Sequence, residues 1–258
     1  MLQFHKMHGL SNDFVIIFTP DLPWDRARIA ELADRHSGIG FDQLLWLSPS
    51  TIADVHCAIF NADGSEAEHC GNGMRCVARF AHEEKIVDKR ALTIQTKAGL
   101  IPVEVPNYQE IRVAMGIPLL QQDPIMIPLD SQHISLTALS LGNPHAIYRV
   151  PTLNDLPFTH WGKILSNHAA FPQGANIGFM EIINRQSIRL CTYERGVGIT
   201  QSCGSNACAA VISGISNVWL DSPVAVSVPS GTLTVEWPGD NQVVFLTGPA
   251  TRVFSGTV

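Results

Sequence analysis

The sequence predicts an α+β protein of two pseudo-symmetric, duplicated lobes, each a curved, mostly antiparallel sheet wrapped around a central helix, with an active-site cleft between them. Three observations carry this expectation. The two halves of the 258-residue chain match one another in order at a nearly constant offset. Short alternating segments outnumber helical ones. In each half a turn rich in glycine and bearing a cysteine runs into a second helix, which in the second half is strongly apolar from Ala207 to Ile215.

The internal match is an ordered set of anchors. Asn12 in GLSND pairs with Asn143 in LGNPH, His36 with His168, and Asp42 in GFDQ with Asn176 in GANI. Asn61 then pairs with Glu194, Cys70 with Cys203 and Gly99 with Gly231, and the separation drifts only between 131 and 134 residues. In each half the polar residue lies nine positions before the cysteine.

The elements follow in the same order in both halves. A strand (Phe14 to Phe18; Ala146 to Val150) leads to a helix (Asp25 to Asp34; about Trp161 to Asn167). A second strand (Val55 to Phe60; Ser187 to Tyr193) runs into the Gly-rich turn and a second helix (Gly71 to Glu84; Gly204 to about Asn217). Alternating strands close each half, Leu92 to Thr96 with Leu100 to Val105, and Val224 to Val228 with Thr232 to Trp237. The boundary is expected near the Pro-rich run IPLLQQDPIMIP, residues 117 to 128, giving lobes 1–116 and 117–248. The last strand, about 249–258, has the option of returning to the first lobe.

Composition removes several function classes. Lys plus Arg number 17 against 23 Asp plus Glu, a net charge of −6, and only five of the basic residues are lysines, which disfavours a nucleic-acid surface. The uncharged stretch Gly196 to Leu220 is long enough to raise a membrane helix. It also holds Gln201, Ser202, Ser205, Asn206, Ser213, Ser216 and Asn217, so its apolar part, Ala207 to Ile215, reads as a buried helix and no membrane partner is expected. The start, MLQFHKMHGLSNDF, shows no apolar signal core, and six cysteines are too few for a disulfide scaffold of this length. Free thiols in a reducing, cytoplasmic compartment are the expectation.

The six cysteines divide by context. Cys70 is followed by Gly71, Asn72 and Gly73, and Cys203 by Gly204, Ser205 and Asn206, each at the expected start of a helix. Bare first-turn N–H groups and the helix dipole favour an anion there, a thiolate or a bound carboxylate. A cysteine so placed can titrate well below the ~8.5 of an unperturbed thiol. Cys57 and Cys191 lie in apolar strands and Cys76 and Cys208 face into their helices, as inert core thiols do. Neither Cys70 with Cys76 nor Cys203 with Cys208 makes a CxxC pair, so no metal site is expected. The glycine doublets fall short of dinucleotide and P-loop fingerprints. None of Lys6, Lys85, Lys89, Lys97 or Lys163 lies in a repeat-matched turn where pyridoxal phosphate would be held.

One thiol on each of two facing lobes suits inversion at a carbon centre, where a base removes a proton from one face and an acid returns one to the other. An amino acid α-carbon is a weak acid, so its carboxylate must be held by fixed dipoles as charge spreads onto it. Two helix N-termini would supply them.

The segments MHGLSNDF, GFDQLL, NADGSEAEHCGNGMRC, GNPH, ANIGFM and ERGVGITQSCGSNACAA together resemble the diaminopimelate epimerase family over nearly the whole chain. The resemblance implies a cofactor-free epimerase of two lobes that interconverts LL- and meso-diaminopimelate in lysine and peptidoglycan precursor synthesis, and a homodimer. It implies Cys70 and Cys203 as the acid and base. Gly71, Asn72, Gly204 and Ser205 would hold the α-carboxylate, and Glu194 would reach the α-amino group. Asn12, Gln43, Asn61, Asn143, Asn176 and Arg195 would contact the substrate, and His145 would help set the protonation of the thiols. Three positions depart from the family pattern: Ser11 and Asn206 stand where it has Gly, and Ile199 where it has Glu. The alternatives are a related cofactor-free racemase of another amino acid, such as histidine, and a redox-sensing protein that forms a Cys70–Cys203 disulfide.

Overall fold

The computed structural model describes residues 1–130 and 132–258. They group into two compact units, residues 1–114 with 247–258, and residues 115–246.

The first unit opens with a hairpin of β1 (Gln3–Gly9) and β2 (Asn12–Phe18). Its two-residue loop holds Leu10 and Ser11 at positive φ, 52° and 66°, with Gly9 opposite Asn12. Paired left-handed residues match the twist of the flanking strands, and the loop therefore fixes Asn12 at the first rung of the ladder. Helix α1 (Arg26–Ala33) starts at Asp25, whose carboxylate accepts from the Arg28 N–H at 2.8 Å. Its Ile29, Leu32 and Ala33 pack with Phe4, Val15, Ile17, Phe41 and Leu44.

Strand β3 (Gln43–Ser48) runs parallel to β2, and β4 (Val55–Asn61) antiparallel to β3. The short β5 (Glu66–Ala67) pairs with β4 and leads into α2 (Gly71–Glu83). Strand β6 (Ala91–Thr96) returns parallel to β4, followed by antiparallel β7 (Gly99–Glu104) and β8 (Ile111–Ala114). The C-terminal strand, Thr251–Thr257, pairs antiparallel with β1. Arg75 of α2, fully buried, donates from Nε to the Pro249 carbonyl at 3.0 Å and helps hold that segment.

The second unit contains β9 (Leu119–Leu120), β10 (Ile125–Leu129), β11 (Gln132–Ser140), β12 (Pro144–Val150), α3 (Phe158–Ser166), β13 (Asn176–Asn184), β14 (Ser187–Glu194), β15 (Gly198–Thr200), α4 (Gly204–Ser216), β16 (Val224–Val228) and β17 (Gly231–Glu236). Strand β12 is antiparallel to β11 and parallel to β13. Strand β14 is antiparallel to β13 and parallel to β16, which pairs antiparallel with β17. The same alternation of antiparallel and parallel neighbours therefore runs along β1-β2-β3-β4-β6-β7 and along β11-β12-β13-β14-β16-β17.

Helices α2 and α4 each have 13 residues, ten of them buried. Helix α2 touches β1, β2, β6, β7 and β8, and α4 touches β11, β12, β13, β14 and β17. A helix buried on nearly every face needs sheet on more than one side, and this is how each unit covers its own. In α4 the small residues Ala207, Ala209 and Ala210 allow that approach, all fully buried.

The architecture is a mixed, strand-dominated α+β fold. Strands β1, β3, β5, β8, β9, β10, β11, β13 and β15 have no counterpart among the strands expected from the sequence. QLLWLS and NIGFMEIIN are near-continuous apolar runs, as strands buried on both faces are, and lack the two-residue alternation. Helix α3 begins at Phe158, ahead of the expected Trp161, because Pro157 occupies the N-cap and its carbonyl accepts from Trp161 at 2.9 Å. Among the described residues no helix is long and apolar enough to cross a membrane.

Candidate active site

In the first unit the site is built at the start of α2. Cys70 is the N-cap, with extended backbone (φ −149°, ψ 104°), and its sulfur accepts from the Gly73 N–H at 3.4 Å. The first turn packs closely here: a Cβ at Gly73 would lie 3.2 Å from Leu45 Cδ2 and 3.5 Å from the Cys70 sulfur. The Asn12 Oδ1 atom lies 3.8 Å from the same sulfur and accepts from Asn72 Nδ2 at 3.2 Å. Asn12 Nδ2 donates to Asp42 Oδ2 at 2.8 Å, and that oxygen also accepts from the Asp13 N–H at 3.1 Å.

A charged cluster anchors this arrangement. Asp13 pairs with Lys6 at 2.5 Å and with Arg35 at 2.7 Å, and Arg35 also holds Asp42 at 2.8 Å. Burial raises the Asp13 pKa, but the hydrogen bonds and charges of Arg35 and Lys6 outweigh it and carry the carboxyl to about 2. Gln43 and Asn61, opposite one another on β3 and β4, form a second polar pair, Gln43 Nε2 donating to Asn61 Oδ1 at 2.9 Å. Asn61 Nδ2 donates onward to Ser65 Oγ at 3.0 Å.

The second unit repeats the N-cap cysteine with different surroundings. Cys203 (φ −121°, ψ 111°) caps α4, is buried, and has its sulfur 3.5 Å from Ser205 Oγ. Gly204 and Ser205 form the first turn, as Gly71 and Asn72 do in α2. Asn176, beside His145 across the parallel β12–β13 pair, accepts from the Arg195 N–H at 2.9 Å. The Arg195 guanidinium donates to the Gln173 carbonyl at 2.6 Å, and Glu194 Oε1 accepts from Thr200 Oγ1 at 2.6 Å. His145 lies between two amides, Asn143 at 2.9 Å and Asn206 at 3.2 Å.

The structure thus joins Cys70, Asn12 and Asn72 in one cluster and Gln43 with Asn61 in another. In the second unit it joins Asn143 with His145, and Asn176 with Arg195. A match to the family model described as diaminopimelate epimerase covers residues 4–120 and 137–253. The diaminopimelate epimerase of Ectopseudomonas mendocina is 42% identical, covering all of this chain and 99% of its own, and that of Azotobacter vinelandii is 43% identical with the same coverage. The chain belongs to the diaminopimelate epimerase family.

More distant solved structures share the fold. A hydroxyproline epimerase from Agrobacterium vitis aligns with a TM-score of 0.77 at 16% identity over 99% of this chain and 91% of its own. A Bacillus anthracis phenazine biosynthesis protein of the PhzF family gives the same TM-score and identity, over 100% and 98%.

Within the family framework the six cysteines separate physically, and all are free thiols. Burial pushes Cys57 far up, Cys76 up to about 12 and Cys191 up to about 11, so these stay protonated. His69, next to Cys70, carries no signal of its own in the sequence. Both its ring nitrogens are buried without a hydrogen-bond partner among the described residues, although the residue as a whole keeps some exposure. Burial draws its pKa down to about 4 and keeps it neutral. Asp42 and Thr200, which hold Asn12 and Glu194, are likewise not marked as site residues by the sequence. Only Asp42 left a trace, as an anchor of the internal match. Of the departures from the family pattern, Ser11 lies in the β1–β2 loop and Ile199 is 41% exposed on β15, whereas Asn206 is fully buried in α4. Among the described residues no group of three or more His, Cys, Asp or Glu side chains is placed to hold a metal ion.

Proposed function

We propose that this chain is an isomerase that interconverts LL- and meso-2,6-diaminopimelate without a cofactor, with Cys70 and Cys203 as its two acid/base groups. The observation that carries the reading is that each unit opens its buried 13-residue helix on a cysteine N-cap, in a chain of this family. The two family-model segments begin 133 residues apart (137 − 4), which supports an origin by duplication and equivalent duties for the two caps.

In this reading one sulfur, as thiolate, takes the α-proton. The electron pair of the broken C–H bond spreads onto the α-carboxylate, and the other thiol delivers its proton to the opposite face. The two sulfurs thereby exchange protonation states, and nothing is oxidised. The first-turn N–H groups of Gly71, Asn72, Gly204 and Ser205 bind the carboxylate, and their dipoles count for more as its charge grows. The N–H of Gly73, aimed at the Cys70 sulfur, favours the anionic form of that thiol.

Glu194, fixed by Thr200, takes the α-ammonium. Asn12, Gln43, Asn61, Asn143, Asn176 and Arg195 bind the remainder of the amino acid, and His145 supports the thiols. The enzyme works in the reducing cytoplasm, since a disulfide between the two caps would remove both the base and the acid, and it works as a homodimer.

The reduced, folded protein incubated with LL-diaminopimelate in deuterated water should yield meso product carrying solvent deuterium at the inverted carbon. Absence of both exchange and product would overturn the reading. Faster exchange of another amino acid, histidine included, would assign the chain to a related racemase activity, an outcome the buried Asn206 makes worth testing. Light scattering at micromolar concentration tests the dimer, a monomer mass being the contrary result.

A further inference from the structure

Asn206 is the third residue of α4, at a position the family pattern fills with glycine, and its side chain is fully buried. Its Nδ2 donates to Thr192 Oγ1 at 2.9 Å on β14 and to the Ile177 carbonyl at 3.2 Å on β13. Its Oδ1 lies 3.2 Å from His145 Nδ1 on β12. Gly178 makes the room: a Cβ there would come within 3.1 Å of Asn206 Nδ2 and 2.7 Å of Ile147 Cδ1. The other ring nitrogen of His145, Nε2, lies 2.9 Å from Asn143 Oδ1, so both ring nitrogens face an amide oxygen.

A neutral imidazole donates from one nitrogen and accepts at the other, whereas an imidazolium donates from both. His145 is 1% exposed, and desolvation draws its pKa down to about 4, opposed in part by the bond to Asn206, so the ring is neutral near pH 7. One neighbouring amide must then present an oxygen and the other its NH2 group. Reversing Asn206 would set its oxygen against the Ile177 carbonyl, two acceptors at 3.2 Å with no proton between them. The half-buried Asn143 side chain makes no other hydrogen bond among the described residues, so it is the amide that turns over without loss, setting Nδ2 in place of Oδ1 against the neutral ring. The amide oxygen and nitrogen are alike in shape, and the choice follows the bonding network.

We infer that Asn206 is a positioning residue that locks His145 in the Nδ1–H tautomer, so that Nε2 accepts from the Asn143 NH2 group and the Asn143 carbonyl oxygen is turned outward as an acceptor. Thr192, Asn206, His145 and Asn143 then form one chain of hydrogen bonds. An outward acceptor selects a substrate group bearing N–H or O–H over a carboxylate at that point. This last consequence rests on the proposed amino acid chemistry, whereas the tautomer does not.

Nitrogen-15 NMR of the full-length reduced protein, labelled at histidine, reads the tautomer directly. The expected spectrum at neutral pH has His145 Nδ1 protonated and Nε2 bare, while a protonated Nε2, alone or with Nδ1, would overturn the inference. Asn206→Gly should move the ring toward the Nε2–H form or a mixture. An unchanged tautomer in folded Asn206→Gly would also overturn it. If that variant does not fold, the wild-type spectrum still decides. Where LL-diaminopimelate is turned over, Asn206→Gly should raise KM by about tenfold, the scale of one hydrogen bond, with a smaller change in kcat. A loss confined to kcat would contradict the outward role of Asn143, and inactivity of the wild-type protein toward diaminopimelate would leave the NMR result standing.

Discussion

The two N-cap cysteines sit on matching elements with different polar surroundings. Cys70 is partly exposed, accepts the Gly73 N–H, and is backed by Asn12, itself fixed through Asp42 to the ionic cluster of Lys6, Asp13 and Arg35. Cys203 is buried, lies by the Ser205 hydroxyl, and heads the helix whose third residue belongs to the uncharged Thr192–Asn206–His145–Asn143 chain. A repeated backbone frame has thus been furnished once with charges and once with amides and a neutral imidazole. On the proposed reading, in which the two thiols serve opposite faces of one unsymmetrical amino acid, the shared frame supplies the same dipoles and the differing neighbours meet different parts of the substrate.

Replacing one thiol at a time breaks the comparison most sharply. Cys70→Ala and Cys203→Ala should each lower inversion by at least about 10³-fold, the upper range for a positioned acid or base, with unchanged folding. Loss on one side alone would point to a single base. Alkylation followed by mass spectrometry sharpens the difference in access: Cys70 should react first and Cys203 later, with Cys57, Cys76, Cys191 and Cys208 modified only on unfolding.

Acid unfolding separates the two polar networks. The folded-state pKa of His145, about 4, lies below its unfolded value of ~6.5, so its contribution is complete above the latter and is lost as pH falls from there to about 4. His69 acts in the same window. Asp13, at about 2 when folded against an unfolded value of ~3.9, contributes above the latter and loses that contribution as pH falls toward 2. Asp13→Asn should therefore cost about 3 kcal/mol at pH 7, chiefly by leaving Lys6 buried without its partner, and should flatten the lower limb of a stability profile measured by urea titration. The smallest effect is expected at Ser11, whose φ of 66° disfavours a side chain. Ser11→Gly should stabilise by about 0.5 kcal/mol, the left-handed penalty less the extra entropy that glycine loses, and calorimetry can detect it.

Much of this frame is legible in the sequence because glycine punctuation and apolar runs are local signals. Both cysteines stand where GNG and GSN announce a helix start, and α1 lies inside its expected limits, bounded by Asp25 and Asp34. Strands β3 and β13 escaped because burial on both faces erases alternation. Strand β1 escaped because QFHKMHG looks polar, although His5 and Lys6 are buried against Ser255 and Asp13. Cys70 and Cys203 carry their own signal, whereas Thr192 and Asp42 act through partners distant in sequence that only the fold brings near. Asn206 was visible as a departure from a pattern, and its bonds to β12, β13 and β14 were not.

The central claim is that the two caps act as two bases. Early in the reaction of LL-diaminopimelate in deuterated water, before product returns, deuterium should be found in the meso product and scarcely in the remaining substrate, because the thiol that removes the proton is not the one that returns it. Deuterium entering recovered substrate as fast as product would contradict the account and assign both proton transfers to a single group.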